Sequence, residues 1–161
     1  MAENCPDMNW LPSLLPFVQV AITDVLEVIE ADEDHHGGYF TAIDSYISMN
    51  VPTLTAAVGY FPRERAERRF QLSIEKPTRL LRYPTHVSSH QSKCQEKEQF
   101  GGAIRTTNGM IFSFSGLPRG IDDEAVCLLA AERTGQIDVV MIEAIISASD
   151  NIVYRQVSKT R

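Results

Sequence analysis

What the sequence lacks narrows its reading first. No segment has the make-up of a membrane span. The most apolar stretch, residues 11–29, is broken by Pro12, Pro16, Gln19, Asp24 and Glu27, whereas a spanning helix needs about 20 nearly unbroken apolar residues. The first ten residues carry Glu3 and Asp7 but no Lys or Arg, so the basic start of a secretory signal is missing. Cysteine is scarce. Cys5, Cys94 and Cys127 are scattered, odd in number and form no CxxC pair, which reads as free thiols in a reducing compartment and not as a disulfide framework. These absences predict a cytoplasmic protein with no membrane partner.

Positive charge is short as well. There are 15 Lys and Arg against 21 Asp and Glu, a formal net charge of -6. Binding to a phosphate backbone draws on a Lys/Arg surplus, so no nucleic-acid partner is expected. No GxSxG, P-loop, HExxH or GxGxxG pattern occurs, which removes the commonest sequence signatures of hydrolytic, nucleotide-binding and zinc-dependent chemistry. Repeats and Gly/Ser/Pro-rich linkers are absent too, so the 161 residues are expected to form one domain. Within it we place an N-terminal helix over 13–31, a core over 39–135, and a C-terminal helix and tail over 136–161.

What is present is a globular composition, 43% hydrophobic and 22% charged, which excludes disorder, collagen and a coiled coil. Val18, Ala21, Ile22, Val25, Leu26 and Ile29 recur at three- and four-residue steps and mark the first helix. Residues 39–48 and 53–61 are rich in β-formers and read as two strands able to pair as a hairpin. The charged run over 62–70 is either helix or loop. A short helix over 73–83 follows, with Ile74, Leu80 and Leu81 inward. It must begin close to Pro77, because a proline in a helix interior costs about 3 kcal/mol. Residues 85–99 are a polar stretch. The segments 101–107 and 110–115 flank Asn108-Gly109, a strong short-range hairpin signal. Asp122, Asp123 and Glu124 then open a helix whose dipole favours them, and 137–147 forms a last helix. Residues 151–157 are a closing strand or an ordered tail. The expected fold is α+β, an antiparallel sheet of about five strands covered by helices.

The segments GGAIR at 101–105, MIFSFSGLP at 110–118 and DDEAVCLLAA at 122–131 together resemble the GlcG-like haem-degrading/haem-binding domain family. The matching positions are Gly101, Gly102, Ile104, Ser115, Gly116, Asp123, Glu124 and Ala125. This resemblance implies a profilin-like or GAF-like layered fold, a homo-oligomer and a small-molecule site between sheet and helices, with haem among the ligands it suggests. The chain departs from the family pattern at Arg105 and over 112–114. Its first helix carries no His, Cys, Met or Tyr between residues 17 and 30, so no haem ligand is assigned there.

Several residues are candidates for chemistry. His86, His90 and Cys94 stand at i, i+4 and i+8, a metal-ligand spacing only on a helix. Pro84 and the poor helix formers Val87, Ser88 and Ser89 argue for a loop instead, so no metal site is predicted. His35-His36 lies in an acidic turn. Ser113 and Ser115 alternate with Phe112 and Phe114, which places the hydroxyls on one strand face and the rings on the other. The serines are either a polar pocket floor opposite Arg105, suited to a carboxylate or phosphate, or the outer face of a half-exposed sheet. Ser73 and Lys76 match SxxK without its partner motifs. The arginines over 63–82, interleaved with glutamates, read as a solvated charged face. The resulting expectation is a small-molecule-binding domain with His86, Ser89, His90, Arg105, Ser113 and Ser115 as ligand-binding residues, for a small anionic or haem-like ligand. An oligomeric interaction module and a small hydrolase using Ser and His groups over 88–115 are the alternatives.

Overall fold

The computed structural model describes residues 8–46 and 51–160. Cys5, the acidic N-terminal residues, the end of the predicted first strand and the turn at Asn50 lie outside them. The chain runs α1 (Leu14–Leu26), β1 (His36–Asp44), β2 (Leu54–Tyr60), α2 (Ala66–Leu81), β3 (Ala103–Arg105), β4 (Met110–Ser115), α3 (Gly120–Arg133), α4 (Val139–Ser149) and α5 (Ile152–Lys159). The fold is α+β, and its sheet is antiparallel with the order β2-β1-β4-β3.

Two hairpins build that sheet. β1 pairs with β2 from His36↔Tyr60 to Ala42↔Leu54. β3 pairs with β4 from Ala103↔Ser113 to Arg105↔Ile111. The β1–β4 ladder, Tyr39↔Ser115 to Asp44↔Met110, joins them, and α2 carries the chain from one sheet edge to the other. At the Asn108-Gly109 turn only the glycine has positive φ, at 84°. A Cβ there would also meet the Tyr46 ring, so the position excludes larger residues twice over.

The central strands are buried on both faces, with opposite chemistry. Phe40, Ala42, Ile104, Phe112 and Phe114 face α1 and α3 in one large apolar cluster. Ile43, Ala103 and Ile111 face the other way and cluster with Leu80 and Leu81 of α2. α3 is buried almost all round, from Asp122 to Ala131, as a helix held between α1, the sheet and α5 must be.

Three expectations need correction. The sheet has four strands among the described residues, because 151–157 is helical. Asn151 accepts the Tyr154 N–H at 2.9 Å as an N-cap, and Val153, Tyr154 and Val157 turn one buried stripe inward. α2 begins at Ala66, so the charged run is its first turns, and Pro77 lies well inside the helix. The interior proline is tolerated because Leu80, Leu81 and the Lys76 stem bury against the sheet and offset the missing hydrogen bond. Finally, β4 is no half-exposed strand. All of its residues are buried, since it lies between two neighbours with helices on either side.

Candidate functional site

The N-terminus of α3 is where buried charge collects. Each acidic residue at 122–124 has its own task. Asp122 accepts the Arg119 N–H at 3.0 Å and the Arg119 guanidinium at 2.7 Å, closing the first helical turn. Asp123 Oδ1 accepts the Gly116 and Leu117 N–H groups at 3.2 and 2.9 Å. Its Oδ2 accepts Lys76 Nζ at 2.8 Å, and that ammonium also donates to the Phe114 carbonyl at 2.8 Å. Both side chains of the pair are essentially buried, at 1% and 5% exposure, so each charge depends on the other. Gly102, with φ 121°, passes beside them. A Cβ there would come within 2.7 Å of Lys76 Nζ and 2.8 Å of Asp123 Cβ.

Glu124 is a second hub. It accepts from Ser88 Oγ, from Ser149 Oγ at 2.5 Å and from Asn151 Nδ2 at 2.9 Å. It thereby ties the 85–99 loop and the α4–α5 junction to α3. Burial raises its pKa above the ordinary carboxyl value, with the three donors opposing that rise.

Three adjoining cavities open around this helix end. One of about 620 Å³ is lined by His90, Lys93, Phe100, Arg119, Ile121 and Ile152 among others. A second of about 360 Å³ shares Phe100, Arg119 and Gly120 with it and reaches Lys76, Asp123 and Ser115. A third of about 240 Å³ shares Leu72, Ser115 and Leu117 with the second and reaches Arg65, Arg68, Arg69 and His35. Sharing these walls, the three lie side by side as a cleft along the 99–101 segment and the 115–120 loop, with α2 lining the second and third.

The six predicted residues do not line one cavity. His90 lines the largest, and Ser115 lines the other two. The His90 ring makes no hydrogen bond among the described residues. Burial, then the Lys93 charge, holds its pKa below the usual imidazole value, so the ring is neutral at physiological pH. Ser89 is structural. Its hydroxyl accepts the Ala103 N–H at 3.0 Å, and its carbonyl accepts Arg79 Nη1 at 2.8 Å. Arg105 donates to the carbonyls of His86 and Leu80, each at 3.0 Å, and so caps the C-terminal end of α2. His86 stacks on Tyr83, with ring centroids 4.8 Å apart, and its Nδ1 is buried without a partner. Ser113 is fully buried beneath α2, its hydroxyl likewise unpartnered.

Around His86, His90 and Cys94 the chain forms short 3-10 turns, Ser89–Ser92 and Gln95–Lys97, so the helical register that would align the three is not there. Ser73 and Lys76 are both buried but face different partners. Ser73 Oγ lies 3.1 Å from Thr41 Oγ1 and donates to the Phe70 carbonyl, and no hydrogen bond joins it to Lys76 among the described residues.

The arginine run divides in two, against the expectation of one solvated face. Arg65 and Arg68 are exposed, whereas Arg69 and Arg79 are 6% and 5% exposed. Arg79 grips the polar stretch through Ser89, Ser92 and the Phe100 carbonyl. Arg69, Ser73 and Lys76 share one helical face with Leu80. That spacing was the available signal that these polar residues turn inward. No family model, curated protein or solved structure matches this chain.

Proposed function

We propose that this is a small-molecule-binding domain whose ligand occupies the cleft at the α3 N-terminus. The observation that carries it is the His90 imidazole, unpaired among the described residues, on the largest of the three cavities, with an apolar flank of Phe100, Ile121 and Ile152 and the cations Lys93 and Arg119 beside it. A concave, mostly apolar chamber with a few convergent polar groups is the usual form of a ligand site. On this reading the packing of helices against both sheet faces is the profilin-like layered arrangement that the GlcG-like resemblance implies.

Haem, the ligand that resemblance suggests, fits the lining. A neutral imidazole offers an iron-binding nitrogen, the apolar residues suit a macrocycle, and Lys93 and Arg119 suit its carboxylates. Haem titration of the purified chain, followed at the Soret band, tests this. A bound spectrum is expected, with its position or intensity altered in His90→Ala. An unchanged Soret band in the wild-type chain overturns the haem assignment.

A further inference from the structure

The far end of the cleft is built differently from the His90 chamber. Arg69, although 6% exposed, forms no ion pair among the described residues. Its guanidinium donates to the carbonyls of Gly37 at 3.1 Å and Asp34 at 2.6 Å. Carbonyl dipoles orient the group, and the carboxylates of Asp123, Asp34 and Asp32 act on its charge without pairing with it directly. Burial, then the nearby Arg65 charge, lowers its pKa, with the Asp123, Asp34 and Asp32 charges opposing.

Ser115 lies across the same cavity. It is 3% exposed, and its hydroxyl has no hydrogen-bond partner among the described residues. Strand parity puts its side chain on the α2 side of β4, with Ile111 and Ser113. Leu72 and Arg69 of α2 line the cavity from that side. A buried guanidinium with no direct ion pair and a hydroxyl with no hydrogen-bond partner among the described residues thus border one space of about 240 Å³. The exposed arginines 65 and 68 stand at its mouth, paired at the surface with Asp34 and Glu98 at 3.6 and 3.1 Å. Glu64 is the carboxylate on the lining itself.

We infer that this cavity binds the phosphate group of a small phosphorylated molecule, with Arg69 and Ser115 as its inner donors. Phosphate suits the site better than a carboxylate. It carries more charge and three acceptor oxygens, and here it meets one guanidinium from inside, a hydroxyl from the strand and two guanidinium groups from the rim. The inference deepens the small-molecule reading and rests on it, because the cavity shares Leu72, Ser115 and Leu117 with the space beside Lys76, which shares Phe100, Arg119 and Gly120 with the His90 chamber.

Calorimetric titration of the full chain at constant ionic strength tests it, with inorganic phosphate, glycerol 3-phosphate and acetate as separate probes. Saturable binding of inorganic phosphate is expected, with no binding of acetate over the same range. Glycerol 3-phosphate binding more tightly than the free ion would identify a phosphomonoester as the natural form. Ser115→Ala, whose fold is checked by its thermal melt, should weaken phosphate binding about tenfold, whereas Val140→Ala, exposed on α4 and on the wall of none of the three cavities, should leave it unchanged. Absence of phosphate binding overturns the inference. So does equal affinity in wild type and Ser115→Ala. A negative haem titration with intact phosphate binding would remove the haem assignment and leave the phosphate site standing.

Discussion

The two faces of the central sheet solve opposite problems with the same strands. Against α1 and α3 the face is dry, with Phe40, Phe112, Phe114 and Ile104 packed into the large apolar core. Phe40 and Phe112 meet edge to face, their centroids 5.5 Å apart. Beneath α2 the apolar cluster is small, and hydroxyls take its place. Thr41 Oγ1 lies 3.2 Å from Thr55 Oγ1 and 3.1 Å from Ser73 Oγ. Ser113 stands beside Thr41 in the β1–β4 ladder. Lys76 and Asp123 complete the polar layer. Apolar burial stabilises in proportion to area and tolerates small shifts. A buried polar layer adds little net stability but penalises any arrangement that leaves a member unpaired. The difference teaches where function can reside. The dry face holds the fold, whereas the polar face carries cations and hydroxyls to the rim of a cleft.

Substitutions on each face should break this contrast to different depths. The largest loss is expected from Phe112→Ala, which empties a ring-sized volume between α1, α3 and the sheet. It should destabilise by about 4 kcal/mol, read from the shift in urea midpoint at constant slope. Next is Asp123→Ala, which leaves the Lys76 ammonium buried without its counter-charge and releases the Gly116 and Leu117 N–H groups. A loss of about 3 kcal/mol is expected by the same measurement. The double variant Lys76→Met with Asp123→Asn removes both charges while keeping an amide oxygen for the two N–H groups. It should be more stable than Asp123→Ala alone. If the double variant is the weaker of the two, the cluster is not governed by charge compensation.

The dry face was legible in the sequence and the polar face was not. The alternation over 110–115 fixes which residues share a side, and the period of 18, 21, 22 and 25 marks α1, which ends at Leu26 and not at the expected residue 31. The Asn-Gly hairpin follows from local backbone preference. What polar residues do inside depends on partners far along the chain. Lys76 and Asp123 are 47 positions apart, and Ser88 and Glu124 are 36 apart. Charge on a helix ordinarily signals solvent, so the arginine run reads as a solvated face, although Arg69 shares the face of Leu80 and Arg79 is buried as well. For the same reason Arg105 looked like a pocket cation, yet its hydrogen bonds go to carbonyls at the end of α2. Of the candidate site, His90 and Ser115 could be named from sequence, whereas Arg69 could not. Its place in the cleft follows from helix α2 starting at Ala66, inside the run that reads as surface.

The sharpest form of the comparison is between neighbours. Phe112 and Ser113 are adjacent on β4, both fully buried, and point to opposite faces. Truncating the first creates a cavity. Truncating the second removes a buried hydroxyl that has no partner, and with it the desolvation penalty of an unsatisfied group. The volume lost with one oxygen is small, so the penalty should outweigh the packing change. Ser113→Ala is therefore expected to raise stability by about 1 kcal/mol, the smallest effect of the series and the only one of positive sign. Thermal and urea unfolding of the single variant would read it. A loss of stability instead would mean that Ser113 has a hydrogen-bonding partner in solution. The polar layer under α2 would then extend unbroken from Thr55 to Ser113.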